Sequence, residues 1–148
     1  MSASTNRTCP SCGRHNRIPV AHLADRGACG ACKCALSPQA EPIDVDAATF
    51  DAIVAASPVP VLVDFWAPWC GPCRMAAPEV AHAARDLAGR AVVLKVDTEA
   101  NPLLAARFQI RSIPTFGVFV GGRPTLLRPG LLHARELVQL AARAGVAA

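Results

Sequence analysis

Two cysteines spaced by a Gly-Pro pair, in Trp69-Cys70-Gly71-Pro72-Cys73, stand where an apolar run ends and an amphipathic pattern begins. This junction limits what the chain can fold into more than any other feature. Val59 to Trp66 reads as a strand, and Ala67-Pro68-Trp69 breaks it. From Cys70 to about Leu87 the apolar residues Ala76, Val80, Ala83, Ala84 and Leu87 fall on one helical stripe. A thiol in the first turn of a helix meets unpaired N–H groups and the positive end of the helix dipole, so Cys70 is expected to ionise readily and to attack. Cys73, one turn further in, is placed to close an intramolecular disulfide and is expected to be the resolving, shielded sulfur.

Four of the seven cysteines lie ahead of that junction in two further CxxC pairs, Cys9-Pro10-Ser11-Cys12 and Cys29-Gly30-Ala31-Cys32. Sixteen residues separate the pairs, a spacing expected of a four-cysteine zinc site. Each pair should form a tight turn whose amides face the sulfurs, with Gly13 and Gly30 supplying the backbone freedom. The large apolar side chains of this stretch, Ile18, Val20, Leu23 and Leu36, are too few for a core of their own, so one bound Zn²⁺ per chain is expected to hold it together. Iron would suit four sulfurs equally well. His15 and His22 are competing ligands, and Cys34 reads as a spare thiol.

Composition narrows the classes further. With 52% hydrophobic and 18% charged residues the chain can build a core. No run approaches the roughly 18 consecutive apolar residues of a membrane span, so no membrane association is expected. The opening Met1 to Arg7 has no apolar stretch after its charge, which points away from export and toward a cytoplasmic setting, where thiols serve as metal ligands or catalysts. Thirteen of the fifteen basic residues are arginines scattered along the sequence, and no aromatic residue precedes Phe50. Nucleic-acid binding is therefore not expected.

The stretch Ala35 to Pro42, rich in Pro and Ser, suits neither helix nor strand and marks a boundary. The expected division is a metal-knuckle domain over 1–36, a linker over 37–42 and a catalytic domain over 43–148. In the last, Ile43 to Val45 is a short strand and Phe50, Ile53 and Val54 mark a helix that ends before Ser57. After the central strand and helix come a strand over Val92 to Val96, a short helix capped by Asn101-Pro102, a strand over Thr115 to Val120, a turn at Gly121-Gly122, a strand with Leu126 and Leu127, and a helix over His133 to Ala144. The order βαβαβαββα implies an α/β fold, a mixed sheet flanked by helices.

The sequence Val63-Asp64-Phe65-Trp66-Ala67-Pro68-Trp69-Cys70-Gly71-Pro72-Cys73, with Ile113-Pro114-Thr115 further on, resembles the signature of thioredoxins from about Ile43 onward. With the two front CxxC pairs, the whole resembles the thioredoxin 2 type, which carries a zinc-binding N-terminal domain. The resemblance implies the thioredoxin fold and a protein-disulfide reductase working through a redox-active Cys70–Cys73 disulfide. It also implies recycling by thioredoxin reductase, disulfide-containing protein substrates, no bound nucleotide and a monomer. It raises the expectation of a cis Ile113-Pro114 bond against the disulfide, and of an apolar substrate rim of Trp69, Gly71, Pro72, Ile113 and Gly130 around it, while Trp66 packs beneath. Asp64, a carboxylate in an apolar strand, should be buried with a raised pKa. It is expected to take the proton of Cys73 through a water, as its counterpart does in the family, to pair with Lys95 on the adjacent strand, or to do both, so that Asp64 and Lys95 join the two cysteines as candidate catalytic residues. Pro78 is expected only to disturb the helix ladder. The rival readings are a disulfide isomerase or oxidant, and a zinc-dependent chaperone or binding module on a thioredoxin scaffold.

Overall fold

A computed structural model describes residues 4–146. Residues 43–146 form a five-stranded mixed sheet in the order β5 (Ile43–Asp44), β7 (Val92–Asp97), β6 (Val61–Trp66), β8 (Thr115–Val120) and β9 (Arg123–Pro129). β5, β6 and β7 run parallel, whereas β8 lies antiparallel to β6, and β9 antiparallel to β8. The helices are α1 (Ala47–Ala56), α2 (Gly71–Leu87), α3 (Pro102–Arg107) and α4 (Ala134–Val146). The thioredoxin fold and the expected order of elements are both present.

Strand periodicity divides the core into two layers. Val61, Val63 and Phe65 of β6, with Val92, Leu94 and Val96 of β7, pack with Phe50, Ile53 and Val54 of α1. The intervening Leu62 and Val93 join Phe116 and Val118 against Ala76, Val80, Ala83, Ala84 and Leu87 of α2 and Leu137 and Ala141 of α4. Alternation along a strand puts Asp64 and Trp66 on the same face as Leu62, and Lys95 on the same face as Val93. The polar residues of the two central strands thus point toward the α2 layer. A continuous apolar strand pattern conceals this, because both faces of the sheet are covered.

The front of the chain forms two ribbons, β1 (Ser4–Thr8) with β2 (His15–Pro19), and β3 (Gly27–Ala28) with β4 (Ala35–Leu36). Leu36 is buried with Cys9 and Cys29. Val20 and Leu23, two of the few large apolar side chains of this stretch, belong to the core of the α1 layer beside Val45, Phe50 and Ile53. The Gln39 amide donates to the Leu23 carbonyl at 2.9 Å. The two ribbons are too small to bury both residues themselves, so the 3₁₀ turn Val20–His22 and Leu23 use the apolar face of α1. Among the described residues no helix is long and apolar enough to cross a membrane.

Candidate functional site

The β6–α2 junction forms through backbone geometry. The Trp66 carbonyl accepts from both the Thr98 amide (2.8 Å) and its hydroxyl (3.1 Å), holding the end of β6, and the Cys70 amide closes a turn onto the Ala67 carbonyl at 3.2 Å. Cys70 is the N-cap of α2, one residue ahead of the first helical residue, Gly71, with Pro72 just inside the helix. Its sulfur accepts from the Cys73 amide at 3.2 Å, so an orphan N–H of the helix start points at the Cys70 sulfur. Cys70 and Cys73 are joined as a disulfide with Cα atoms 5.2 Å apart. Both are buried.

The Ile113–Pro114 bond is cis, as expected. The Ile113 carbonyl oxygen lies 3.8 Å from the Cys70 sulfur, and the Pro114 carbonyl accepts from the Gly130 amide at 2.9 Å. Gly130, just past β9, has φ +101°, a conformation that a side chain resists and that favours a glycine at this contact. Trp69 is 63% exposed, Pro72 is exposed, and Gly71 and Ile113 are half-buried. Met75, at 65% exposure, is a large apolar side chain one turn beyond Pro72 that sequence reasoning passed over.

Asp64 is 1% exposed, and neither carboxylate oxygen has a hydrogen-bond partner among the described residues. Burial pushes its pKa up to about 7, against the opposing attraction of Lys95, with Asp44 adding a small upward push. Lys95 sits opposite Asp64 in the β6–β7 register. The expected Asp64–Lys95 ion pair is nevertheless absent among the described residues. The Lys95 ammonium stands 4.4 Å above the Trp66 ring, where the aromatic face attracts its charge. Asp64 is therefore a carboxyl poised near neutrality, beneath the helix that carries both cysteines.

At the other site, Cys9, Cys12, Cys29 and Cys32 converge so that all four sulfurs lie within 4.8 Å of one another. The Cys9–Cys32 and Cys12–Cys29 sulfur separations are both 3.6 Å, near the ~3.8 Å between corners of a tetrahedron with metal–sulfur bonds of about 2.3 Å. The donor set and spacing fit a tetrahedral divalent ion. His15 and His22 stay outside, His15 bonded to the Thr8 hydroxyl (2.9 Å) and His22 to Asp25 (2.7 Å), and Cys34 is exposed and apart.

The two knuckles share one backbone plan, in which the Gly13 amide donates to the Cys9 carbonyl and the Lys33 amide to the Cys29 carbonyl. This corrects the expectation for Gly30. The left-handed residues are Gly13 (φ +79°) and Lys33 (φ +67°), each directly following the second cysteine of its pair. Gly30 serves differently, its amide donating to Asn16 Oδ1 at 2.9 Å. The Cys32 amide, with lesser help from Ala31 and Asn16 and against the effect of burial, draws the Cys29 thiol well below its ordinary value. Sequence reasoning missed Asn16. It stands in a polar run, His15-Asn16-Arg17, and its partner knuckle is fourteen residues away.

Residues 41–143 match the family model described as Thioredoxin. The chain belongs to the thioredoxin family. It is 44% identical over 131 residues to "Thioredoxin C-3" of Corynebacterium nephridii, covering 88% of this chain and 89% of that one. It is 54% identical over 91 residues to "Thioredoxin 1" of a Nostoc species, covering 62% and 85%. A solved mutant thioredoxin of Halobacterium salinarum superposes with a TM-score of 0.64 at 31% identity, over 74% of this chain and 96% of that one. Members of the family are thiol-disulfide oxidoreductases, and this chain is one of them.

Proposed function

We propose that the chain is a protein-disulfide reductase of a reducing, cytoplasmic compartment, of the thioredoxin 2 type, with Cys70 as nucleophile and Cys73 as resolving thiol. The disulfide at the N-terminus of α2 beside cis-Pro114 carries this reading. In the reduced protein the Cys70 thiolate attacks a substrate disulfide, forming a mixed disulfide and expelling one substrate thiolate. Cys73 then loses its proton and attacks the Cys70 sulfur, releasing the second substrate thiolate and leaving Cys70–Cys73 oxidised. Two electrons have passed to the substrate, and thioredoxin reductase returns two from NADPH. A carboxylate at Asp64, near half-ionised at neutral pH, takes the Cys73 proton through a water, and Lys95 limits how far burial raises its pKa. Trp69, Gly71, Pro72, Ile113 and Gly130 form the face on which an extended substrate segment lies.

The N-terminal cluster belongs to the same proposal. Cys9, Cys12, Cys29 and Cys32 hold one zinc ion, which when bound supplies the cross-link that the two small ribbons lack. The expected domains are 1–36 and 43–148, with 37–42 between them.

Insulin reduction with NADPH and thioredoxin reductase tests the activity. Wild type should turn over, Cys70→Ser should be inactive, and Cys73→Ser should accumulate the mixed disulfide. If wild type and Cys70→Ser were equally inactive, while metal removal abolished the holding of unfolded clients, a zinc-dependent chaperone would replace this reading. Metal analysis should find about one zinc per chain, and a Cys9→Ser variant retaining full stoichiometry would refute the ligand set.

A further inference from the structure

Asn16 is 9% exposed, a buried amide in a stretch where most polar side chains face solvent. Most of its contacts are aimed at the cysteine cluster. The Oδ1 atom accepts from the Gly30 amide at 2.9 Å, within the second knuckle. The Nδ2 atom donates to the Arg14 carbonyl (3.2 Å), just past the first knuckle, and reaches the Arg7 carbonyl (3.5 Å) and the Cys29 sulfur (3.6 Å). The partners set the amide's orientation, because a backbone N–H requires the oxygen and two carbonyls require the nitrogen. The Arg14 carbonyl also accepts from the Cys9 amide at 2.8 Å, so the first knuckle is tied to Asn16 through a shared atom. The Ala31 amide also donates to the Cys29 sulfur at 3.4 Å, beside the Cys32 amide.

We infer that Asn16 is a positioning residue of the metal site, which latches the two knuckles together and gives the Cys29 thiolate a side-chain N–H donor. This rests on the reading of the four cysteines as metal ligands. Without the latch, the pairs Cys9/Cys12 and Cys29/Cys32 would meet only through their sulfurs and the apolar packing of Leu36 and Ile18, with no hydrogen bond fixing their separation before binding. With it, the second pair is held at the distance the first requires, so binding orders less chain. The N–H directed at Cys29 also lowers the electron density that this sulfur gives to an ion. Polar partners that orient metal ligands in this way contribute about 10–100-fold in affinity. Asparagine suits the position because one side chain supplies an acceptor to one knuckle and donors to the other. Aspartate has the same shape and keeps the acceptor for Gly30 while losing every donor.

The test uses the full reduced chain as wild type, Asn16→Asp, Asn16→Ala and, as control, His15→Ala, the exposed neighbour on the same strand. Zinc affinity is measured by competition with a chromophoric chelator, and cobalt(II) spectra are recorded at saturation. Both Asn16 variants should bind zinc about 10–100-fold more weakly, and their sulfur-to-cobalt charge-transfer band should move to lower energy, because a thiolate relieved of an N–H donor gives up its electron more readily. His15→Ala should match wild type in both. Zinc affinity within about twofold of wild type in both Asn16 variants would overturn the inference. A weakened affinity with an unshifted cobalt band would overturn it too, reducing Asn16 to a packing residue. If the wild type itself binds neither zinc nor cobalt, the four-cysteine metal reading fails first and this inference falls with it.

Discussion

Replacing Asp64 by Asn should stabilise the oxidised protein, by an amount that depends on pH in a way the structure specifies. In the fold the carboxyl is sealed in the α2 layer with no hydrogen-bond partner for either oxygen among the described residues, and its pKa is raised from 3.8 to about 7. The unfolded chain ionises it near 3.8, so below about pH 4 both states carry it neutral and burial costs nothing through ionisation. As pH rises from about 4 to about 7 the unfolded state loses its proton while the fold retains it, and the wild type loses roughly 1.4 kcal/mol for each pH unit. Above pH 7 both states are ionised and the loss levels off at about 4 kcal/mol, from a shift of about three units. Asparagine has the same shape and no charge to lose. The stability difference between Asp64→Asn and wild type should therefore be flat below about pH 4, climb between about 4 and 7, and reach a plateau about 4 kcal/mol higher. Urea unfolding of both oxidised proteins at half-unit pH steps measures that curve, and titrations common to both cancel in the difference. A pH-independent gain would refute the reasoning, because it would assign the effect to packing and not to a buried charge. A difference that falls with rising pH would show that Asp64 is paired in the fold.

Lys95 opposes the effect of burial on Asp64, so Lys95→Met should move the carboxyl's titration midpoint above about 7. A carbon-13 NMR titration of the Asp64 carboxyl reads this, and an unmoved midpoint would remove Lys95 from the electrostatics of the site. Gly117→Ala should destabilise by about 1–3 kcal/mol, because a Cβ there would lie 3.0 Å from both the Leu127 and Phe119 side chains; chemical denaturation gives the value. Leu23→Ala should cost about 2–5 kcal/mol and lower the unfolding midpoint reported by Trp66 and Trp69, since Leu23 is packed into the α1 layer; an unchanged midpoint would show that the front of the chain does not brace the sheet. Chelating the metal from the reduced protein should speed amide exchange over residues 4–36 while β6 and α2 stay protected, as measured by hydrogen exchange and mass spectrometry.

Much of the catalytic half was legible in local pattern. The apolar stripe of α2, the buried strands β6 to β8 and the turn at Gly121-Gly122 emerge where periodicity or turn chemistry predicts them, because each element satisfies its own backbone and needs only a covered face. Local rules failed where a side chain had a choice of partners. Asn101 does occupy the N-cap of α3, but its amide turns back to the Asp97 carbonyl at 3.1 Å and not onto the helix. Asp46 caps α1 through the Thr49 amide, a contact hidden in a run of small residues. The four knuckle cysteines do converge, but one turn residue differs from expectation, since Lys33 takes the left-handed conformation assigned to a glycine.

The sequence alone determined which atoms are candidates for chemistry: a thiol pair at a strand-to-helix junction, a second set of four thiols at knuckle spacing, and a lone carboxylate in an apolar strand. These are covalent facts of spacing, and no neighbouring element is needed to read them. Only the tertiary structure decided what surrounds those atoms. It sealed Asp64 without a partner, sent the Lys95 ammonium to the Trp66 ring, drew Val20 and Leu23 out of the metal-knuckle segment into the sheet's core, and turned Asn16 inward between two cysteine pairs. Burial and partnership are properties of where distant segments meet, so the same CxxC spacing yields a disulfide in one place and a convergent four-sulfur cluster in the other.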